Sequence, residues 1–286
     1  MAAIVSNKVA VITGTSSGIG LLTAVELASR GFRVIATMRD LNKRARLDQA
    51  ASAANLTNNI DVRRLDITKH DTIAVAVDGI VRDYGRTDVL VNNAGFPMAG
   101  FAEDVQLSEL REQFETNFFG HVVMTKAVLP TMRAQHSGQI IMVSSVAGRT
   151  GQPSLSSYAS SKFALEGWTE SFSMEMRSLG IKVVLIEPGA FDTDIWQQNA
   201  RLAKGAIDGS SPNIERARRF RDFVQGGGIK RRDARHVARL IARVAESSNP
   251  KLRYVIGHDA HLQIWLRRFT TSRVYEKFIT KAVKID

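Results

Sequence analysis

Apolar runs alternate with amphipathic stretches along nearly the whole chain. Val9-Ala10-Val11-Ile12 and Val183-Val184-Leu185-Ile186 are apolar at every position, so both faces of such segments must be covered, as in a parallel sheet clad by helices on its two sides. Runs of this type predict strands over 8–14, 33–39, 60–66, 88–95, 138–145, 181–189 and 252–257. Between them, apolar positions recurring every three or four residues predict helices near 18–30, 41–54, 70–84, 107–135, 155–179 and 233–247. This alternation reads as an α/β fold: a doubly wound, seven-stranded parallel sheet with helices on both faces, in a single domain over 1–286.

Two segments depart from the alternation. Over 190–228 the pattern lapses into polar loop, a short helix marked by Ile214, Ala217, Phe220 and Phe223, and then Gly226-Gly227-Gly228. That composition fits a mobile substrate-binding lid or an inert surface excursion. Over 258–286 a C-terminal helical extension is expected, with Trp265, Leu266, Phe269, Val274 and Phe278 set among Arg267, Arg268, Arg273 and Lys277. Such a stretch can pack on the domain, rest on an anionic membrane or deliver a lipid.

Composition narrows the chemistry. The chain has no cysteine, which excludes disulfides, a thiolate nucleophile and zinc–thiolate ligation. His258 and His261 have no further clustered donors, and a stable metal site needs three or four ligands, so no metal is expected. There is no run of about 18 apolar residues to span a bilayer, and the N-terminus lacks the basic start of a secretory signal; a cytoplasmic location is expected. The net charge of +11 is distributed unevenly. Residues 1–200 carry 19 Lys and Arg against 20 Asp and Glu, whereas residues 201–286 carry 20 against 8. A basic third suits a solvated face, an anionic surface, an acidic substrate or nucleic acid. No nucleic-acid motif accompanies it, so no nucleic-acid partner is expected.

Between the first strand and its helix stands Thr13-Gly14-Thr15-Ser16-Ser17-Gly18-Ile19-Gly20. Glycines there let the backbone turn sharply and approach a pyrophosphate, which the helix N-terminus attracts. Three further motifs follow: Asn92-Asn93-Ala94-Gly95 closing the fourth strand, Tyr158-x-x-x-Lys162, and Pro188-Gly189 ending the sixth. In this order, over residues 8 to about 193, they resemble the short-chain dehydrogenase/reductase family. Tyr158-Ala159-Ser160-Ser161-Lys162-Phe163-Ala164-Leu165-Glu166-Gly167, with Ala36-Thr37-Met38-Arg39-Asp40, resembles the branch of 17β-hydroxysteroid and retinol dehydrogenases. The resemblance implies a Rossmann fold and a nicotinamide cofactor. It would be held by Gly14, Thr15, Ser16, Ser17, Gly18, Ile19 and Gly20, by Asp66 against adenine, by Asn93, Ala94 and Gly95, and by Tyr158, Lys162, Pro188, Gly189 and Thr193. It also implies a homo-oligomer, dimer or tetramer.

Tyr158 and Lys162 are four apart on a predicted helix and so share a face. A phenol with a pKa near ~10 is a poor base at neutral pH, but an adjacent cation stabilises its phenolate. The resemblance adds Ser145, thirteen residues before Tyr158, as the group that hydrogen-bonds the reacting oxygen, with Ser144 as the alternative. It also assigns Asn117 to a relay water near the lysine; the plainer reading of Asn117 is a polar side chain satisfying local backbone. The implied reaction interconverts a carbonyl and an alcohol by hydride transfer, with Tyr158 as general acid or base.

An acid at the tip of the second strand would hold the ribose 2′-OH of NAD, whereas a cation would meet the 2′-phosphate of NADP. The tip reads Met38-Arg39-Asp40. Asp40 also opens a predicted helix, where a capping aspartate is common. Arg39, helped by Ser16 and Lys43, then favours NADP(H) over NAD(H). Phe96, Met98, Gln152, Phe191 and Trp196 are candidate pocket residues by position, suggesting a small hydrophobic carbonyl or alcohol substrate of steroid, retinoid or lipid type. The rival reading is a catalytically idle NADP(H)-binding sensor.

Overall fold

The computed structural model describes residues 8–193, 199–207, 209, 211–225 and 231–283. Seven strands form one sheet: β1 (Val9–Thr13), β2 (Arg33–Met38), β3 (Ile60–Arg64), β4 (Val89–Asn92), β5 (Gly138–Val143), β6 (Ile181–Pro188) and β7 (Arg253–Ile256). Their order is β7-β6-β5-β4-β1-β2-β3, and every pairing is parallel. The chain therefore runs outward from β1 through β3, crosses back to β4 beside β1, and runs outward the other way. Ligands of open α/β sheets bind where the order reverses, outside the carboxyl ends of the strands.

The two-residue alternation of the strands separates two cores. Ala10, Ile12, Val34, Ala36, Val89 and Val91 face one side, against the helices α1 (Gly18–Ser29), α2 (Ala45–Ala53) and α8 (Arg235–Glu246). Val9, Val11, Ile35, Leu90, Ile140 and Met142 face the other, against α3 (His70–Tyr84), α5 (Gly120–Ala134) and α6 (Ser156–Met176). The helices bury residues at matching intervals: Ile73, Val77 and Ile80 on α3, and Val237, Leu240, Ile241 and Val244 on α8. Burial on both faces explains strands that are apolar at every position.

The stretch expected as one helix over 107–135 is α4 (Leu107–Phe114) and α5 joined by a π-helical segment, Glu115–Phe119. Asn117 sits within that segment, a kind of irregularity found often at functional sites. A helix α7 (Ile214–Gln225) occupies the excursion before α8, where Ile214, Ala217 and Phe220 foretold it. The C-terminal extension is not one helix. It comprises α9 (His258–Phe269) and α10 (Ser272–Ala282), separated where Thr270 and Thr271 take up extended backbone. Among the described residues no helix is long and apolar enough to cross a membrane.

Candidate active site

The loop between β1 and α1 is held in a shape that only glycine allows. Gly14 has φ +72°, and a Cβ on it would stand 2.8 Å from the Cα of Ala94. A Cβ on Gly20 would collide with the Gly14 carbonyl and lie 2.5 Å from Asn93 Nδ2. Asn93 Nδ2 donates to the carbonyls of Thr13 at 2.9 Å and Gly14 at 3.1 Å. Its own amide and that of Ala94 donate to Thr13 Oγ1, each at 3.0 Å. The end of β4 thus braces the loop, leaving Gly14, Ser16, Ser17, Gly18 and Ile19 along the wall of a large cavity. The N-terminus of α1 opens beside them, with Ser17 extended at its cap. Thr15 departs from expectation: it is fully buried, and its Oγ1 donates to the Thr37 carbonyl at 3.1 Å. Gly20 likewise acts through close packing and does not line the cavity.

At the tip of β2, Asp40 accepts from the Asn42 amide at 3.0 Å and caps the 3₁₀ turn Leu41–Lys43. It does not face the cavity, whereas Met38, Arg39 and Lys43 do. Arg39 is exposed, and among the described residues it makes no hydrogen bond or ion pair. Asp66 lines the same end of the cavity, with its Oδ1 taken up by the Thr68 amide and hydroxyl at 3.0 and 2.8 Å.

At the carboxyl end of β5, Ser145, Tyr158 and Lys162 come together on the cavity wall. Ser145 caps the 3₁₀ turn Val146–Gly148, its Oγ accepting from the Ala147 amide at 3.1 Å. Burial pushes the Tyr158 phenol up to about 12, and a hydrogen bond with Ser145 opposes that shift. One turn along α6, Lys162 Nζ donates to the Val143 carbonyl at 2.8 Å and lies 5.9 Å from the centre of the Tyr158 ring. Burial lowers the Lys162 ammonium to about 8, while the charge of Glu166 works to raise it. The alternative serine, Ser144, is buried and also lines the cavity, and its hydrogen bond opposes the upward shift of the Glu166 carboxyl.

Asn117 does not reach the cavity. Its Oδ1 accepts from the Phe96 amide at 3.1 Å, and its Nδ2 donates to the Phe96 carbonyl at 3.0 Å and to Ser161 Oγ at 3.3 Å. The side chain is engaged with local backbone, the plainer of the two expectations for it. Gln113 repeats the device: it accepts from the Met98 amide at 2.7 Å, and its Nε2 donates to the Phe96 carbonyl at 2.6 Å. Met98 is accordingly drawn away from the main cavity and is almost fully buried.

The cavity has a volume of about 940 Å³, near the top of the ~300–1,000 Å³ usual for ligand clefts. Phe96, Gln152 and Phe191 line it, as do Ala94, Gly95, Pro188, Gly189 and Thr193; Trp196 lies outside the described residues. The far end is roofed by residues not anticipated from sequence, chiefly Leu262, Gln263, Phe278 and Ile279 of α9 and α10. Gln152 Nε2 donates to Gln263 Oε1 at 2.7 Å and ties that roof to the β5 side.

Two groups behind the wall formed by Ser145, Tyr158 and Lys162 also escaped the sequence reading. His121 on α5 is fully buried, with Nε2 2.6 Å from the Ala94 carbonyl. Burial, aided by the nearby Lys162 charge, holds its imidazole at about 3. It is therefore neutral, with the proton on Nε2 facing the carbonyl. Glu166, one turn beyond Lys162, accepts from Arg253 Nε at 3.2 Å, and Arg149 Nη1 lies 3.2 Å from both oxygens of Glu187. Burial, with the charge of Glu187 second, pushes Glu166 up to about 7. Extending the four-residue spacing of Tyr158 and Lys162 by one more turn reaches Glu166 and was the available signal.

This arrangement can present a proton donor to an oxygen in a largely apolar cleft whose opposite wall is built for an anion. Known proteins of one family resemble the chain. The model of the short chain dehydrogenase family matches residues 8–203. An uncharacterized oxidoreductase, YusZ, of Bacillus subtilis is 40% identical, with 96% of this chain and 98% of the relative covered. Human retinol dehydrogenase 8 is 37% identical, with 86% and 80% covered. Among solved structures, a short-chain dehydrogenase from Streptomyces avermitilis superposes with a TM-score of 0.82 at 31% identity over 98% of each chain. ElxO with NADP bound superposes at 0.71 and 27% identity over 87% of this chain and 96% of that one. With the strand order, the glycine loop and the Tyr158–Lys162 helix all in the family's pattern, the chain belongs to the short-chain dehydrogenases, a family of oxidoreductases.

Proposed function

We propose that the chain is an NADP(H)-dependent oxidoreductase that interconverts a ketone or aldehyde and an alcohol on a hydrophobic steroid-, retinoid- or lipid-like substrate. The observation that carries this reading is the meeting, in one cavity, of the Ser145–Tyr158–Lys162 group with a glycine loop into which no Cβ fits at Gly14 or Gly20. Arg39 and Lys43 at the adenosine end suit the 2′-phosphate of NADP, and Asp40, whose Oδ1 caps the turn, does not line the cavity where a ribose hydroxyl would lie. NADP is the nucleotide bound in the related ElxO structure. The residues present therefore fit a dinucleotide, held by Gly14, Ser16, Ser17, Gly18 and Ile19, by Arg39 and Asp66, and by Asn93, Ala94 and Gly95 through their backbone. Pro188, Gly189 and Thr193 complete the set. When bound, the nicotinamide supplies or accepts the hydride.

The chain's own residues then handle the oxygen and the proton. Tyr158, a neutral phenol at working pH, donates its proton to the carbonyl oxygen during reduction. Ser145 hydrogen-bonds the same oxygen and steadies its developing charge. Lys162, a cation below about pH 8, stabilises the phenolate left behind. Asn117 acts by holding the Phe96 backbone against the cavity. Of the segment 190–228, Phe191 and Phe220 stand on the cavity wall and serve as its lid; 194–198, 208, 210 and 226–228, with the three glycines, lie outside the described residues. The exposed Phe119 and Phe163, beside and on the helices α5 and α6, suit packing against a second copy of the chain. An intact trio disfavours an idle sensor. The test is a steady-state screen of apolar ketones, aldehydes and secondary alcohols with each nucleotide, followed by nicotinamide absorbance. Turnover of apolar carbonyls with NADPH is expected; binding of NADPH without turnover of any carbonyl would instead favour the sensor.

A further inference from the structure

The helices that roof the cavity turn a different face outward. On α10, Tyr275 and Ile279 are buried against the domain, while Val274 is 53% exposed and Phe278 43%. On α9, Leu262, Trp265 and Phe269 are 49%, 55% and 64% exposed. Trp265 and Phe269, one turn apart, lie with ring centroids 5.8 Å from each other, and Arg268 stands over the Phe269 ring at 5.5 Å. Five large apolar side chains are thus concentrated on two successive helices. Exposed apolar residues scattered singly are ordinary, but a contiguous group rimmed by polar residues marks an interaction site.

The rim identifies the partner. Arg267, Arg268, Arg273, Lys277 and Lys281 are exposed on the same two helices, with Arg268 against the group itself, and Asp259 and Glu276 are the only acids on them. They sit within a third of the chain that carries 20 basic against 8 acidic residues. Aromatic rings flanked by arginine and lysine suit the headgroup layer of a bilayer, where rings lie among the acyl ends and cations meet phosphate. A second copy of this face is disfavoured, because it would bring the same guanidinium and ammonium groups against each other. The roof supplies the other half of the argument. Leu262 and Phe278 connect the two: both are among the exposed apolar residues and both line the cavity.

We infer that the outer face of α9 and α10 docks on an anionic lipid bilayer, so that the apolar end of the cavity opens toward the membrane from which its substrate comes. The docking half stands without the proposed catalytic reading; only the route of the substrate rests on it. Each basic residue at an anionic surface should contribute roughly a fivefold gain in binding, and the attraction should weaken with salt.

The experiment is co-sedimentation of the full chain with phosphatidylcholine vesicles, with and without roughly a quarter phosphatidylserine. It compares the wild type with Arg268→Glu/Arg273→Glu and Trp265→Ser/Phe269→Ser, none of which lines the cavity. Thermal melts and turnover of a water-soluble carbonyl confirm that each variant is folded. Wild type should bind the anionic vesicles and not the neutral ones. The charge variant should bind at least about tenfold more weakly, and the aromatic variant should also lose binding. Absence of binding to either vesicle would overturn the inference. So would a wild-type dimer that Trp265→Ser/Phe269→Ser converts to monomer, since the face would then belong to a second copy. A failed vesicle assay with sustained turnover removes only the docking face; a failed carbonyl screen with normal vesicle binding removes only the catalytic reading.

Discussion

Lys162 Nζ donates to the carbonyl of Val143 at 2.8 Å, fastening the cation of α6 to the last residue of β5. That bond holds the ammonium 5.9 Å from the centre of the Tyr158 ring. Because burial lowers it to about 8 while the Tyr158 phenol is pushed up to about 12, the two groups titrate in separate ranges. In the carbonyl-reducing direction, kcat/KM should be level below pH 8 and fall above it as Lys162 loses its charge. A pH–rate profile checks this, and a rate that rises through pH 8 contradicts it.

Tyr158→Phe keeps the ring and removes the proton. Its kcat should fall by roughly 10²–10⁴, with the nucleotide dissociation constant little changed. Stopped-flow turnover alongside fluorescence titration separates the two quantities. Equal turnover by the variant would assign the proton to another group.

Arg39→Leu removes the exposed cation at the adenosine end. Charge-assisted bonds to a phosphate are worth about 1.5–3 kcal/mol, so NADP binding should weaken roughly tenfold to a few hundredfold, with NAD binding nearly unaltered. Asp40→Ala should leave the preference intact and cost only its cap. Calorimetric titration with both nucleotides decides between them. A preference for NAD that Asp40→Ala abolishes would reverse the assignment of the two residues.

Two glycines predict opposite signs. A Cβ on Gly20 collides with the Gly14 carbonyl and stands 2.5 Å from Asn93 Nδ2, so Gly20→Ala must displace the loop, lowering both Tm and nucleotide affinity. Gly167, exposed on α6, has nothing within 4 Å of its added Cβ, and Gly167→Ala should stabilise by about 0.5–1 kcal/mol. Thermal melts of the two variants test both, and destabilisation at 167 would show that this surface is covered.

Glu166 offers a stability test. Its folded value of about 7 lies above the ordinary 4.5, so the folded chain holds a proton that the unfolded chain releases earlier. That contribution is complete below about pH 4.5 and is lost as the pH rises through about 7. Glu166→Gln cannot lose it. The Tm of wild type relative to the variant should therefore drop between pH 4.5 and 7.5, as melts across that range would record. A relative Tm that climbs over the same range rejects the assignment.

The fold was legible because strands buried on both faces leave an unbroken apolar trace, as Val9–Ile12 and Val183–Ile186 do. Asp40 was legible as a cap because capping is a local interaction. Direction was not. Thr15, Met98 and Asn117 each stand in sequence where a ligand contact is expected, yet partners at Thr37, Gln113 and Phe96 draw their polar groups inward. Position along the chain does not report which way a side chain turns once a distant group competes for it. The division between α9 and α10 had a local sign that went unread: Thr270-Thr271-Ser272 is the composition of a helix start. The Arg253–Glu166 contact joins residues 87 positions apart, and no local pattern encodes that.

Arg253 belongs to β7, the last strand to be made and the outermost on its side of the sheet, yet it grips Glu166 and Glu170 on the helix that carries Tyr158 and Lys162. During synthesis the chain up to Pro188 already holds Ser145, Tyr158 and Lys162, with Lys162 seated on the Val143 carbonyl, but the clasp on their helix from Arg253 is still to come. A ribosome-bound fragment ending before Arg253 would therefore carry α6 on the sheet with Glu166 and Glu170 unclasped, and the last of the ion pairs that fix this helix would form only when β7 joins the edge of the sheet.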